Sequence, residues 1–163
     1  MTMDRATELR TAFDRAFAEA PRGPRMETLD LLRIQLGGES HVVALSEVAA
    51  LHVDQHVCPV PTPATELLGV MAVRAAIIPV FDLRAILGIR SDAPPRWCIL
   101  AREIGSAFAF DGFAGMLRVS SGPVASAEPG FVRGVVLHEG RSYPLISLTA
   151  VASFLDERWA KER

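Results

Sequence analysis

The chain has 163 residues, half of them hydrophobic and 22% charged, enough apolar material for one domain or two small lobes sharing a core, and too much for a disordered chain. Its net charge of −2 and isoelectric point near 6.1 offer no clustered Lys and Arg to displace counterions from a polyanion. Nucleic acid is therefore not an expected partner.

From the amino terminus, Ala6, Leu9, Phe13, Ala16, Phe17 and Ala20 recur with the 3.6-residue period, with Arg10, Asp14, Arg15 and Glu19 largely opposite. This pattern predicts an amphipathic helix over 3–20. Asp4 and Glu8 interrupt the stretch where a signal peptide would be apolar, and no apolar run approaches the roughly 20 residues of a membrane span. Neither secretion nor membrane insertion is expected. Pro21, Arg22, Gly23 and Pro24 end the helix in a punctuated linker, so residues 1–25 read as an appendage to a domain over 26–163.

From Leu29 onward the pattern becomes short runs of Val, Ile, Leu and Phe separated by Gly, Pro and Ser. Strands are expected at 30–36, 41–46, 48–53, 68–73, 76–81, 97–102, 106–111, 113–119, 132–138 and 141–146, the spacing of a barrel or sandwich. The glycines at 37, 38, 112 and 115 read as hairpin-like turns. They lack the strand, glycine loop and helix of a phosphate cradle, and no cofactor is expected.

An internal repeat organises these runs. Gly69-Val70 is followed ten residues on by Pro79-Val80-Phe81-Asp82-Leu83, and Gly134-Val135 at the same interval by Pro144-Leu145-Ile146-Ser147-Leu148. Each copy then enters a helix through a side chain able to accept from free backbone N–H groups, Asp82 or Ser147. Gly88 ends the first helix early. The second carries Val151, Phe154, Leu155 and Trp159 on an apolar face. A fainter echo relates 42–53 to 108–119. A unit of about 60 residues buries too little surface to be robust alone, so the halves are expected to pack on each other.

Pro61-Thr62-Pro63, Leu68-Gly69-Val70, Val73-Arg74, the run from Ile78 to Arg84, and Leu87-Gly88 together resemble the CheW-like family. The layout extends over roughly 29–155, with the specific motifs in 59–88. The resemblance implies a mostly β fold of two SH3-like five-stranded β-barrels in pseudo-twofold arrangement, followed by a C-terminal helix. It also implies a non-enzymatic cytoplasmic adaptor that couples a methyl-accepting chemoreceptor-type protein to the regulatory domain of a CheA-type histidine kinase. The chain departs from the family where Asn-Leu-Arg-Gly is usual, reading Ala72-Val73-Arg74-Ala75, and Ala49-Ala50-Leu51 replaces a stretch that commonly holds an acidic residue.

The interface expected from that resemblance comprises Val48, Leu51, Leu67, Leu68, Val70, Val73 and Arg74. Arginine is common at binding hot spots, and contiguous apolar surface is what an adaptor docks through. For any single apolar residue, burial in the core is the competing assignment.

One other class of function is written in the sequence. His52, Asp54, His56 and Cys58 alternate by two, so on an extended strand all four would share a face, and each type ligates zinc. Such a strand spreads them over about 20 Å, within which two or three reach one ion, so a metal-binding or metal-dependent protein using His52, His56 and Cys58 is the alternative. Nucleophilic catalysis through Cys58 has little support: Pro59 follows it, and no helix amino terminus or nucleophile elbow lies beside it to lower its pKa. With only Cys58 and Cys98, a disulfide scaffold is excluded.

Overall fold

The alternation of apolar residues is realised as strands in a computed structural model that describes residues 28–120, 122, 124–125 and 130–161. The helix expected over 3–20 lies outside these residues. In chain order the strands are β1 (Leu29–Leu36), β2 (Glu39–Ala44), β3 (Val48–Val53), β4 (Leu67–Val73), β5 (Ala76–Asp82), β6 (Trp97–Ala101), β7 (Ala107–Phe110), β8 (Gly112–Val119), β9 (Val124–Ala125), β10 (Val132–His138) and β11 (Arg141–Ile146). A 3-10 turn (Leu45–Glu47) precedes β3, helix α1 (Leu83–Leu87) follows β5, and helix α2 (Leu148–Lys161) follows β11. The two-residue β9 has no counterpart among the predicted runs. Gly112 and Gly115 fall inside β8 rather than in a turn, with Gly115 at φ 109 where the β1 register shifts.

The strands form a six-stranded sheet, β8-β1-β2-β11-β10-β9, and a five-stranded sheet, β3-β6-β7-β5-β4. These sheets are not the two halves of the sequence. The β1–β2 hairpin joins the later β10–β11 hairpin through a parallel pairing of Leu145 with Val42 and Ile146 with Val43. The β6–β7 hairpin likewise joins the earlier β4–β5 hairpin, pairing Val80 with Ala107 and Phe81 with Phe108. β3 then leaves the first hairpin to pair with β6, and β8 leaves the second to pair with β1. The expected packing of half on half is thus an interlock.

The repeat is preserved in the pairing. Pro79 lies opposite Val70, and Pro144 lies opposite Val135. The register slips between Leu67 and Gly69 in one copy and between Val132 and Gly134 in the other. Proline, which has no N–H to donate, is tolerated there because β7 pairs with β5 only from Val80 onward and β2 with β11 only from Leu145 onward.

Successive residues of a strand face opposite ways, and here both faces are buried. In β7, Ala107 and Ala109 point into a small cluster with Met71, Val80 and Cys98. Phe108 and Phe110 point the other way, into a central cluster with Leu32, Ile34, Leu36, Val43, Ile99 and Ile146. Val151, Ala152 and Leu155 of α2 close that cluster. A third cluster, of Leu31, Val42, Val119, Val136, Tyr143 and Leu145, fills the six-stranded sheet's other side. Each fully buried Leu, Ile or Phe contributes about 1.5–3 kcal/mol relative to exposure, so the central cluster, drawn from both sheets, is the main bond between the halves.

Both predicted helix starts are capped as expected. Arg84 N–H donates to Asp82 Oδ1 at 2.9 Å, and Ala150 N–H to Ser147 Oγ at 3.2 Å. Gly88, at φ 70, ends α1 in the left-handed region. The strand crossings supply a further set of bonds. Glu47, just before β3, accepts from Leu148 N–H at 3.3 Å, Thr149 N–H at 3.2 Å and Thr149 Oγ1 at 2.8 Å. Asp111, just before β8, accepts from Arg84 Nη1 at 2.6 Å and from Gly37 N–H at 2.6 Å. Arg84 is buried and also donates to both Asp82 oxygens, at 2.9 and 2.7 Å, and to Ala93 O at 2.6 Å.

Before β4 the chain crosses close over that strand. Cys58 and Val70 exchange two backbone hydrogen bonds, at 2.8 and 2.9 Å. A Cβ on Gly69 (φ 147) would stand 2.1 Å from Cys58 O, so only glycine fits there. Gly69→Ala is expected to destabilise the fold by about 2 kcal/mol or more, the combined effect of backbone strain and forced displacement. Gly112→Ala, whose Cβ would meet Gln35 at an ordinary 3.5 Å, leaves the urea midpoint nearly in place. Asp111→Ala removes one partner from a buried guanidinium and is expected to cost about 3 kcal/mol in urea unfolding. Asp30→Ala, which breaks the exposed pair with Arg118, leaves the midpoint in place.

Candidate docking surface

The seven residues expected at an interface are divided by the fold. Val48 is buried in the central cluster, and Leu51 and Leu67 pack against it. Leu68 and Val73 pack against the cluster of Met71 and Val80. Five of the seven therefore lean on core, because strands buried on both faces leave few of their apolar residues at the surface. Val70 is half-buried, and Arg74 is exposed.

The apolar surface of this region lies on the outer face of the β4–β5 hairpin. Ala72 is paired with Ile77, beside Val70 paired with Pro79, and Ile77 is 75% exposed. Ile77 reads as one more core residue of a β run, and sequence periodicity alone does not separate it from Ile78, which faces inward. In the other repeat, Val135, Leu137 and Pro144 occupy the matching face, with Leu137 63% exposed.

Across the other face of the same hairpin is a cleft of about 500 Å³. Ala49, Ala50 and His52 of β3 line one side, Val73, Arg74, Ala75, Ala76 and Ile78 line another, and Leu100 of β6 lies between. β3 and β4 are the two edges of the five-stranded sheet, and the cleft opens where β3 and the β4–β5 turn face each other. The left-handed residue of the turn is Arg74, at φ 55. The alanine that stands for the usual glycine, Ala75, therefore bears no positive φ, and the strain expected of it falls one residue earlier. The only unsatisfied buried side-chain polar atom among the described residues, Nε2, belongs to His52, one of the residues lining this cleft.

The metal alternative fails on geometry. β3 ends at Val53, and Asp54 turns into the left-handed region at φ 50, so the period-two face that would align the four ligands is broken. Asp54 instead pairs with Arg96, at 2.8 and 2.6 Å, an interaction that lowers the pKa of Asp54. Cys58 is held beside Val70 on another strand. Among the described residues no three His, Cys, Asp or Glu side chains are grouped to hold an ion, and no helix is long and apolar enough to cross a membrane.

Two interlocked sheets, with a cleft between β3 and the β4–β5 turn and an exposed apolar hairpin face, define the class: a mostly β module. The CheW-like domain family model matches residues 30–153, and the chain belongs to that family. It is 26% identical over 133 residues to the chemotaxis protein CheW of Rhizobium meliloti (strain 1021), covering 75% of this chain and 86% of that protein. The crystal structure of the scaffolding protein TtCheW from Thermoanaerobacter tengcongensis has a similar fold, with a TM-score of 0.64 at 20% identity over 74% of this chain and 89% of that one.

The thiols provide a check on the site. Cys98 is buried beneath the cleft's strands, and desolvation raises its pKa to about 12, whereas Cys58 is exposed. Thiolate is the reactive form. Dithionitrobenzoate at pH 8 is expected to titrate Cys58 alone in the native protein and Cys98 only after addition of denaturant.

Proposed function

We propose that this protein is a non-catalytic cytoplasmic adaptor that couples a methyl-accepting chemoreceptor-type protein to the regulatory domain of a CheA-type histidine kinase. The observation that carries the reading is the family match over 30–153 on a fold whose interlocking strands are complete. A relative described as a chemotaxis protein and a structural neighbour described as a scaffolding protein support it. We further read the two sheets as closed SH3-like barrels related by a pseudo-twofold. The equal registers around Pro79 and Pro144 support that reading, as does the approach of β3 to the β4–β5 turn across the cleft.

The kinase docks on the outer face of the β4–β5 hairpin, through Val70, Ala72, Ile77 and Pro79, and the receptor engages the cleft beside Arg74. Leu51 and Leu68 act beneath these surfaces as packing. Calorimetry with the regulatory domain of a CheA-type kinase encoded in the same genome tests the assignment. The wild-type chain is expected to bind, and Ile77→Glu to weaken binding at least about thirtyfold, because an interface that buries an unpaired carboxylate loses several kcal/mol. Circular dichroism should show that variant folded, since Ile77 is already exposed to water. Leu51→Glu should unfold instead. Absence of binding by the wild-type chain to every such kinase in the genome overturns the coupling reading.

A further inference from the structure

Three of the six large hydrophobic side chains exposed among the described residues, Val53, Phe113 and Met116, gather on the seam between the two sheets, Met116 being 58% exposed. Val53 is paired with Trp97, and directly paired residues of an antiparallel ladder share a face. Trp97 also pairs with Phe110, and its ring lies 5.5 Å from that of Phe113. Phe113 and Met116 are paired with Ile34 and Leu32, which both point to the central cluster. The four side chains thus form one apolar strip, running Met116, Phe113, Trp97, Val53, from the edge strand β8 of one sheet to the edge strand β3 of the other. Single exposed hydrophobic residues are ordinary, whereas a contiguous strip with two aromatic rings marks a place where something docks.

The chain ahead of the described residues supplies a matching surface. Leu9, Phe13 and Phe17, with Ala6, Ala16 and Ala20, share one helical face of residues 3–20, and a helix of this length is marginal in water unless such a face is covered. Its point of attachment is beside the strip. The described chain begins at residue 28 and enters β1 at Leu29; Met116 lies opposite Leu32 and Phe113 opposite Ile34 of that strand. From Leu29 to Ile34 is about 17 Å of strand. Residues 21–28 reach up to about 26 Å, with Pro21, Gly23 and Pro24 to reverse the chain. The other exposed apolar faces, at Ile77 and Leu137, belong to hairpins that do not pair with β1. An anionic lipid surface is a poor match for the segment, because Asp4, Glu8, Asp14 and Glu19 outnumber Arg5, Arg10 and Arg15.

We propose that residues 3–20 dock in cis, as a helix, on the strip formed by Val53, Trp97, Phe113 and Met116. Phe13 and Phe17 stand one turn apart on the same helical face, the spacing that sets them against the two aromatic rings of the strip. Met116, unbranched and adaptable, fills the space beside them. While docked, the segment keeps the strip from any other partner, and its release uncovers an apolar surface that bridges both sheets.

The test uses the full chain. Trp159→Phe leaves Trp97 as the sole tryptophan, so that acrylamide quenching reads the strip directly. Combining Phe13→Glu with Phe17→Glu is expected to raise that quenching about twofold or more, because a carboxylate is not buried unpaired against apolar rings and the cover leaves. Met116→Glu, at a position already in water, should leave the thermal midpoint in place and release the segment from the other side. Amide hydrogen exchange over residues 6–20, slowed in the wild-type chain, should then accelerate about tenfold or more, since an undocked helix of this length opens freely. Leu137→Glu, on the exposed face of the other hairpin, should change neither reading. If residues 6–20 of the wild-type chain exchange at the rate of an unfolded peptide, or if Met116→Glu leaves their protection intact, docking on the strip is wrong. Protection that rises with protein concentration, together with a dimer in sedimentation, would give the strip to the segment of a second copy and overturn docking in cis.

Discussion

Two carboxylates sit where the chain passes from one sheet to the other, and the interlock depends on them. At each crossing a strand abandons its hairpin partner, leaving a corner, while the helix that starts nearby has backbone N–H groups with no partner of their own. Glu47 answers the start of α2 by accepting from two backbone amides and two hydroxyls. Asp111 answers the corresponding place before β8 through the Arg84 side chain and the amide of Gly37. The two solutions differ in chemistry and agree in position: each ties a crossing from one half of the sequence to the element that follows the hairpin of the other repeat.

The cleft is a consequence of that interlock. Ala49, Ala50 and His52 reach it because β3 has crossed to the five-stranded sheet, and the β4–β5 turn brings Arg74 to the same space. Below it the packing is divided by residue size. The alanines of β7 leave room on the inner side for Met71 and Val80, while Phe108 and Phe110 extend into the cluster shared with α2. Arg158 of α2 pairs with the buried Glu66, and Trp159 lies edge-on to Phe81 at 5.4 Å. The far end of the helix is thereby fastened to the sheet that bears the cleft. The two faces of the β4–β5 hairpin are joined by the alternation of its strands: Ala72 and Ile77 lie on one face, and Val73 and Ile78 on the other.

Several placements were not legible in the sequence, for a shared reason. Leu51, Leu67 and Leu68 look like candidates for an exposed patch because apolar runs without strict alternation leave the outward residues undefined, and in the fold they pack against the central cluster and that of Met71. Ile77, the exposed residue of its run, is chemically indistinguishable from Ile78. The apparent ligand series from His52 to Cys58 assumes an extended backbone, which the left-handed Asp54 interrupts. Ala75 attracted attention as a replaced glycine, yet the turn places its positive φ on Arg74.

By itself the sequence determined the strand-rich class, nearly every strand, the repeat with its equivalent prolines, both helix caps and the glycine that ends α1, because each depends on neighbours a few residues away or on a spacing that recurs. The motifs from Pro61 to Gly88 also sufficed to indicate the family. Only the tertiary structure decided that β3 and β8 exchange sheets, that Glu47 and Asp111 secure the crossings, and that His52 and Arg74 line one cleft. Those outcomes join residues far apart in the chain, Glu47 to Thr149 and Gly37 to Asp111 among them. Their physical basis is the burial of two incomplete cores against each other, a long-range free energy that leaves no period or motif in either partner.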